Sequence, residues 1–273
     1  MTVIICEGGI SHNGSLDLCK KMMDAAKWAG ADYFKLQKRS VGLVYAGHLT
    51  DPRESPWGTT LGDQKRALEF DEAQYDEIDR YSREIGLPWF ASAWDMISLE
   101  FLRKYDLPYN KIASAMVTNL PFVKAVAAEG KPTFMSTAMC TYDDITNALI
   151  ELREVKDVTL MHCVGTYPTP EADLNLMMIP KLKRFGRKVG YSGHEASVSP
   201  SVIAVAMGAV AIERHITLDR SMYGSDQAAS LEPRGFKELV DQIRKIPVIM
   251  GTGVKTVTEG ERAVAKKLRY WET

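Results

Sequence analysis

Apolar runs of four or five residues alternate along this chain with longer stretches in which apolar positions recur every three or four residues. The runs fall at residues 3–6, 33–36, 88–91, 110–113, 132–135, 158–162, 188–192 and 210–213, and each ends on, or is followed by, a polar side chain. Strands covered on both faces read as continuous apolar runs, whereas the helices that cover them carry a single apolar stripe. The helical stretches have starts, at Ser15, Asp71, Thr141 and Ser197, whose side chains can cap free backbone N–H groups. They have stops at Gly30, Gly86, Gly130 and Gly208, each leading to the next run. Eight such units predict a single-domain (β/α)8 TIM barrel over residues 1–250, with an open doubly wound sheet as the alternative. Residues 38–70 break the rhythm and are too long for an ordinary strand-to-helix loop, so a lid over the barrel rim is expected there. Residues 251–273 read as a charged tail segment with a helix over 259–270 and no second domain.

Composition narrows the function classes. With 273 residues, 45% of them hydrophobic and 25% charged, the chain is long enough to bury a large core. A formal net charge of -1 leaves no broad basic face for nucleic acid, so anionic small molecules must be met by individual lysines. Cys6, Cys19, Cys140 and Cys163 show no CxxC spacing, which fits a reduced, cytoplasmic setting. The N-terminus lacks the basic start of a signal peptide, and no apolar stretch is long enough to span a bilayer; no membrane association is expected.

Active sites of barrels are built from the C-terminal ends of the strands, so the polar residues there form a ring. It contains Glu7, Lys35 with Gln37, Ser92, Lys111 with Ser114, Ser136 with Thr137, His162, Ser192 with His194, and Glu213 with His215. A lysine inside an apolar run is costly to bury unless an anion or a carboxylate meets it. Lys35 and Lys111 are therefore either halves of structural ion pairs or, with the serines, a cradle for a small dianion such as a phosphate ester. His162 reads as a satisfied polar residue. His194 and His215 end neighbouring strands, so both imidazoles can reach one divalent metal that polarises a carbonyl. Glu213 is read as a partner of that pair or as a structural acid.

Several segments match a known family in order and over nearly the whole chain. Residues 5–15 (ICEGGISHNGS), 34–37 (FKLQ), 109–114 (YNKIAS), 136–139 (STAM), 167–170 (YPTP), 190–194 (GYSGH) and 213–215 (ERH) resemble the N-acetylneuraminate (sialic acid) synthases. The resemblance implies a barrel enzyme that condenses phosphoenolpyruvate with an aldose, N-acetylmannosamine or a related sugar, giving a 3-deoxy nonulosonic acid and phosphate. It implies that Lys35 and Lys111 hold phosphoenolpyruvate, with Ser114, Ser136 and Ser192 around its phosphate and carboxylate. It further implies that His194 and His215 bind the metal, typically Mn²⁺ with Mg²⁺ as the alternative, that Tyr167, Gln37 and Asp226 contact the sugar, and that Glu7 serves near the reacting centre. A Schiff-base barrel aldolase and an inactive sugar- or phosphoenolpyruvate-binding barrel are the competing readings.

The chain also departs from the pattern. Met116 stands where relatives usually carry a glutamate, Gly193 where they carry an aspartate, Ala138 where they carry a glycine, and Gly165-Thr166 where an asparagine precedes the Tyr-Pro motif. These changes imply a different acceptor aldose. Many relatives also carry a C-terminal antifreeze-like domain that lends an arginine to the partner's site in a homodimer. Here the expectation is a homodimer in which residues 38–70, with Arg39, Arg53 and Arg66, close the site, or a separate partner chain that completes it.

Overall fold

A computed structural model describes residues 1–272 as a closed parallel barrel with helices outside. Its strands are β1 (Val3–Gly9), β2 (Tyr33–Lys38), β5 (Trp89–Ala93), β6 (Asn110–Ile112), β7 (Thr133–Ser136), β8 (Val158–His162), β9 (Lys188–Gly193) and β10 (Ala211–His215); β3 (Pro52–Ser55) and β4 (Gly58–Thr60) form a separate antiparallel hairpin. The barrel order is β1-β10-β9-β8-β7-β6-β5-β2, so every strand beside its chain neighbour closes the ring. All eight sequence-predicted runs are barrel strands. Each is parallel to both neighbours, as the strand–helix alternation demands.

The helix starts are mostly where the capping residues placed them. The Ser15 hydroxyl accepts from the Leu18 N–H, and Asp71 and Thr141 each form reciprocal capping boxes. Ser197 does not cap its helix: that helix is Ser199–Ala206, and the Ser197 hydroxyl donates instead to Glu171 at 2.7 Å. The outer layer buries an apolar stripe from Leu16–Ala29, through Cys19, Met22, Met23 and Ala26, and another from Pro233–Met250, through Phe236, Leu239, Val240 and Ile243.

Inside the barrel, period-two alternation stacks side chains in layers. Two residues before Lys35, Ser92, Lys111 and Ser136 stand Tyr33, Phe90, Tyr109 and Phe134, and these four rings pack on one another with centroids 4.8–6.0 Å apart. They make an aromatic floor beneath the polar layer. The connection at residues 38–70 is folded, with short helices Val41–Val44 and Leu61–Leu68 around the β3–β4 hairpin. It sits on the rim beside β1 and the segment after β10. There Gln64 Nε2 donates to the Tyr223 hydroxyl at 2.6 Å, and Trp57 packs edge-on against the Tyr223 ring. Beyond the barrel, helix Glu259–Leu268 begins with a capping box at Thr258 and buries no residue. No described helix is long and apolar enough to cross a membrane.

Candidate active site

The C-terminal mouth of the barrel holds a cavity of about 320 Å³ whose walls include Glu7, Lys35, Gln37, Ser92, Trp94, Lys111, Ser114, Ser136, Tyr167, Ser192, His194, Glu213 and His215. Every residue that the resemblance assigns to the site, except Asp226, lines it, whereas Thr137 and His162 of the strand-end ring do not. Glu7, Lys35, Lys111, Ser192, Glu213 and His215 all point inward on their strands, which is why residues distant in sequence meet at the barrel mouth.

One side of the cavity is an electrostatic lattice. Lys35 Nζ lies 2.7 Å from Glu7 Oε2 and 3.8 Å from Glu213 Oε1, and donates to the Ser92 hydroxyl at 3.2 Å. Lys111 Nζ donates to Ser136 at 2.7 Å and lies 3.4 Å from the same Glu213 oxygen, which also accepts from Ser192 at 3.0 Å. Both lysines and both glutamates are at most 5% exposed. Burial favours the neutral forms of Lys35, Lys111 and Glu213, but the surrounding charges resolve each differently. Burial works to lower Lys35, yet Glu213 and Glu7 outweigh it and hold the ammonium above its ordinary value. For Lys111 burial wins over Glu213, and its value falls. Burial works to raise the Glu213 carboxyl, and Lys111 with Lys35 pulls it well below the usual carboxylate range. Gln37 extends the lattice by donating to Glu7 Oε1 at 2.7 Å while accepting from Arg39, whose guanidinium stacks 4.5 Å over Trp94. Of the three loop arginines, Arg39 is thus set against the cavity wall, whereas Arg66 is exposed beside Asp63 and Arg53 is exposed.

The opposite side carries the imidazoles. His194 and His215 face each other with centroids 5.5 Å apart. His194 Nδ1 lies 2.6 Å from the Val164 carbonyl, which can only accept, so the proton sits on Nδ1 and the Nε2 lone pair accepts from the Tyr167 hydroxyl at 2.9 Å. Burial, then the neighbouring His215 ring, hold His194 down to about 3, so its ring is neutral. Burial pushes the Tyr167 phenol far up, which keeps it a donor. Asp226 stands behind His215, its Oδ2 3.6 Å from Nδ1, a buried nitrogen with no hydrogen-bond partner among the described residues. That carboxylate favours a proton on Nδ1, which leaves the lone pair on Nε2.

These groups fit a divalent cation in part. The neutral His194 ring, its tautomer fixed by Val164, and the His215 ring converge, but among the described residues no group of three or more His, Cys, Asp or Glu is placed to hold a metal. A cation here would take its remaining ligands from water or substrate.

Sequence reasoning under-weighted Glu213 and missed Trp94, while Arg39, expected among the loop arginines, is the one of the three that reaches the cavity wall. The signal for Glu213 was present: it lies two residues before His215 on one strand and must face the same way. His162 is satisfied, with Nε2 2.8 Å from the Leu174 carbonyl and outside the cavity. Met116 packs in the core instead of lining the cavity, while Ala113, Ser114 and Ala115 beside it do line it. A Cβ at Gly193 would lie 2.6 Å from Glu195 Oε2, so the Glu195 carboxylate fills the space a side chain at 193 would enter.

Comparison with known proteins agrees with this geometry. The chain is 36% identical over 271 residues to human N-acetylneuraminate-9-phosphate synthase, covering 97% of the chain and 76% of that protein. It is 35% identical to N,N'-diacetyllegionaminic acid synthase of Campylobacter jejuni, covering 96% of the chain and 81% of that protein. Among solved structures, N-acetylneuraminic acid (sialic acid) synthetase of Leptospira borgpetersenii superposes with a TM-score of 0.84 at 28% identity, covering 98% of this chain and 93% of that one. Phospho-2-dehydro-3-deoxyheptonate aldolase (DAHP synthase) of Thermotoga maritima, at 15% identity and a TM-score of 0.68, shares the fold. The NeuB family profile matches residues 22–256. With that match over most of its length, the chain belongs to the NeuB family.

Proposed function

We propose that this barrel condenses phosphoenolpyruvate with an amino-sugar aldose to give a sialic-type 3-deoxy nonulosonic acid and inorganic phosphate. The observation that carries this reading is the pairing, in one cavity of a NeuB-family barrel, of two buried lysines with two buried histidines. Phosphoenolpyruvate brings a phosphate and a carboxylate. Lys35, Lys111, Ser114, Ser136 and Ser192 supply charge and hydroxyl donors to both. The aldehyde end of the sugar lies toward His194 and His215, with Gln37 and Tyr167 as its polar neighbours and Asp226 orienting His215. A divalent cation, Mn²⁺ by preference, held by the two imidazoles polarises the aldehyde carbonyl when bound.

The enol C3 then forms a bond to the aldehyde carbon, and the sugar oxygen takes up a proton. Positive character left at C2 is favoured electrostatically by the carboxylates of Glu7 and Glu213. Water adds to C2 and gives up a proton, and the C2–O bond to phosphate breaks. The lysines stabilise the departing phosphate. The apolar floor keeps bulk water away from the reacting carbons from below.

Phosphate release from phosphoenolpyruvate with Mn²⁺ and a panel of aldoses (N-acetylmannosamine, its 6-phosphate, other hexosamines and pentoses) tests the reading. Binding of phosphoenolpyruvate with no phosphate released for any aldose would refute it. Lys111, whose ammonium is disfavoured by burial, is the one feature that points to the aldolase alternative. Borohydride with pyruvate should trap no lysine adduct. The chain is further proposed to work as a soluble cytoplasmic homodimer, which sedimentation of the purified protein checks.

A further inference from the structure

Behind the barrel wall, on the side facing the helices, lies an ion pair that the proposed chemistry does not use. Glu195 directly follows His194, and Arg214 directly precedes His215. Both are wholly buried. Period two turns Arg214 away from the cavity, and its guanidinium meets the turn that leaves β9. Its Nη1 donates to Glu195 Oε1 at 2.8 Å, to the Ser197 carbonyl at 2.8 Å and to the Ser201 hydroxyl at 3.1 Å, while Nη2 donates to the Glu195 carbonyl. The second carboxylate oxygen accepts from the Tyr191 hydroxyl at 2.8 Å.

This arrangement is not what stability alone would select. Two charges taken fully out of water are costly, and buried ion pairs often give way to apolar residues without loss of stability. Arg214 Nε also finds no acceptor among the described residues. What the network does achieve is geometric. A planar guanidinium with a fixed fork grips one short turn at a side chain and two carbonyls, and it does so from the residue beside His215. β9 and β10 are already in register there, Gly193 opposite Arg214. The fork extends that registration one step past the last strand residue, to the turn that carries His194, and so fixes the separation of the two imidazoles.

We propose that Glu195 and Arg214, with Tyr191, are positioning residues that hold His194 and His215 at the spacing a shared cation needs. This rests on the metal reading of the two imidazoles.

The test uses the full chain, free of metal at the start, with Mn²⁺ alone as probe and free Mn²⁺ followed by electron paramagnetic resonance. The triple variant Tyr191→Phe/Glu195→Leu/Arg214→Met removes the network without leaving a lone charge. The expected result is a metal-free melting temperature close to the parent's and Mn²⁺ affinity weakened by about tenfold or more, the scale seen when groups supporting metal ligands are removed. Phosphoenolpyruvate affinity measured without metal should stay within about twofold, because Lys35 and Lys111 stand on β2 and β6. Unchanged Mn²⁺ affinity in the folded triple variant overturns the proposal, as does an equal loss for phosphoenolpyruvate, which would mean general loosening. Should the triple variant not fold, Arg214→Lys, which keeps the charge and loses the fork, is read by the same two affinities. His194→Ala and His215→Ala separate the two levels of the argument: if the parent binds no Mn²⁺, or binds it as well without either ring, the metal reading itself fails, and this inference with it.

Discussion

Lys111→Met isolates the charge that the cavity needs most. The variant keeps an unbranched side chain one atom shorter and removes an ammonium group that donates to Ser136 and sits 3.4 Å from Glu213. At that separation the gross attraction is about 5 kcal/mol for an effective dielectric of ~20, before the desolvation of both groups is subtracted. Rupture of a buried pair costs roughly 3–5 kcal/mol when the other charge is stranded. Glu213 is not stranded, because Lys35 at 3.8 Å and Ser192 at 3.0 Å remain. A stability loss of about 2–3 kcal/mol at neutral pH follows from that discount. Phosphoenolpyruvate loses a charge-assisted hydrogen bond worth ~2–3 kcal/mol, which weakens its binding about 30–150-fold.

The pH dependence of the stability loss has a definite sign. Glu213's carboxyl is depressed in the fold, so its stabilisation is complete above the unfolded value of ~4.3 and fades as pH falls through the folded value. Removing Lys111 raises the folded value. The variant's deficit should therefore be full at pH 7 and narrow below about pH 4.3, where the carboxyl takes up a proton in the unfolded chain. Urea unfolding at the two pH values and calorimetric titration of phosphoenolpyruvate read both quantities. A deficit independent of pH between 7 and 3.5, or a dissociation constant changed less than about threefold, would refute the charge argument.

Other substitutions probe the opposite wall. His215→Ala should abolish phosphate release with a circular dichroism spectrum like the parent's, and chelation of the parent should do the same until Mn²⁺ is restored; full turnover in either case contradicts a metal role. Tyr167→Phe removes the hydroxyl that occupies the His194 Nε2 lone pair, so Mn²⁺ should bind at least as tightly while the KM for the sugar rises; weaker Mn²⁺ binding would mean that the phenol supports the cation instead of competing with it. Gly9→Ala combines a left-handed backbone, φ 51°, with a Cβ 3.2 Å from the His215 ring, so the ring must shift; Mn²⁺ affinity should fall while phosphoenolpyruvate binding without metal stays near the parent's, and equal effects on both would show a global defect.

The barrel was legible because its strands are continuous apolar runs and its helices announce their starts. Ser197 shows the limit of that reading. Its hydroxyl is a suitable cap, but Glu171 on the preceding loop offers a charged acceptor, and the helix begins two residues later. The site was legible as a ring of strand-end polar residues, and alternation alone places Lys35 and Lys111 inward. Which charges meet depends on the order in which strands close the barrel. Glu213 on β10 reaches Lys111 on β6 across the lumen, a contact between residues 102 apart. Arg214 and Glu195 were illegible for a related reason: strand-end charges facing the helices look in sequence like those facing the cavity, and the partner lies in a turn.

The aromatic floor explains why the resting cavity is built as a neutral lattice instead of an open cationic cradle. Tyr33, Phe90, Tyr109 and Phe134 close the lumen directly below the lysine layer, so neither ammonium can be solvated from beneath. Without Glu7 and Glu213 the two lysines would face each other across a dry lumen, and one would lose its proton before any substrate arrived. The carboxylates keep the ammonium charge in place, but the same carboxylates oppose an incoming dianion. The conflict eases if each lysine keeps its carboxylate on one side and turns to the substrate the N–H that it otherwise donates to a serine, Ser136 for Lys111 and Ser92 for Lys35. Substrate phosphate and carboxylate then add to the serine side without breaking the ion pairs. Neutralising Glu213 separates this arrangement from simple charge repulsion: in Glu213→Gln, phosphoenolpyruvate binding should weaken at alkaline pH, because Lys111 loses the carboxylate that opposes its deprotonation. Tighter binding at every pH would show that repulsion, and not the protonation of Lys111, governs the site.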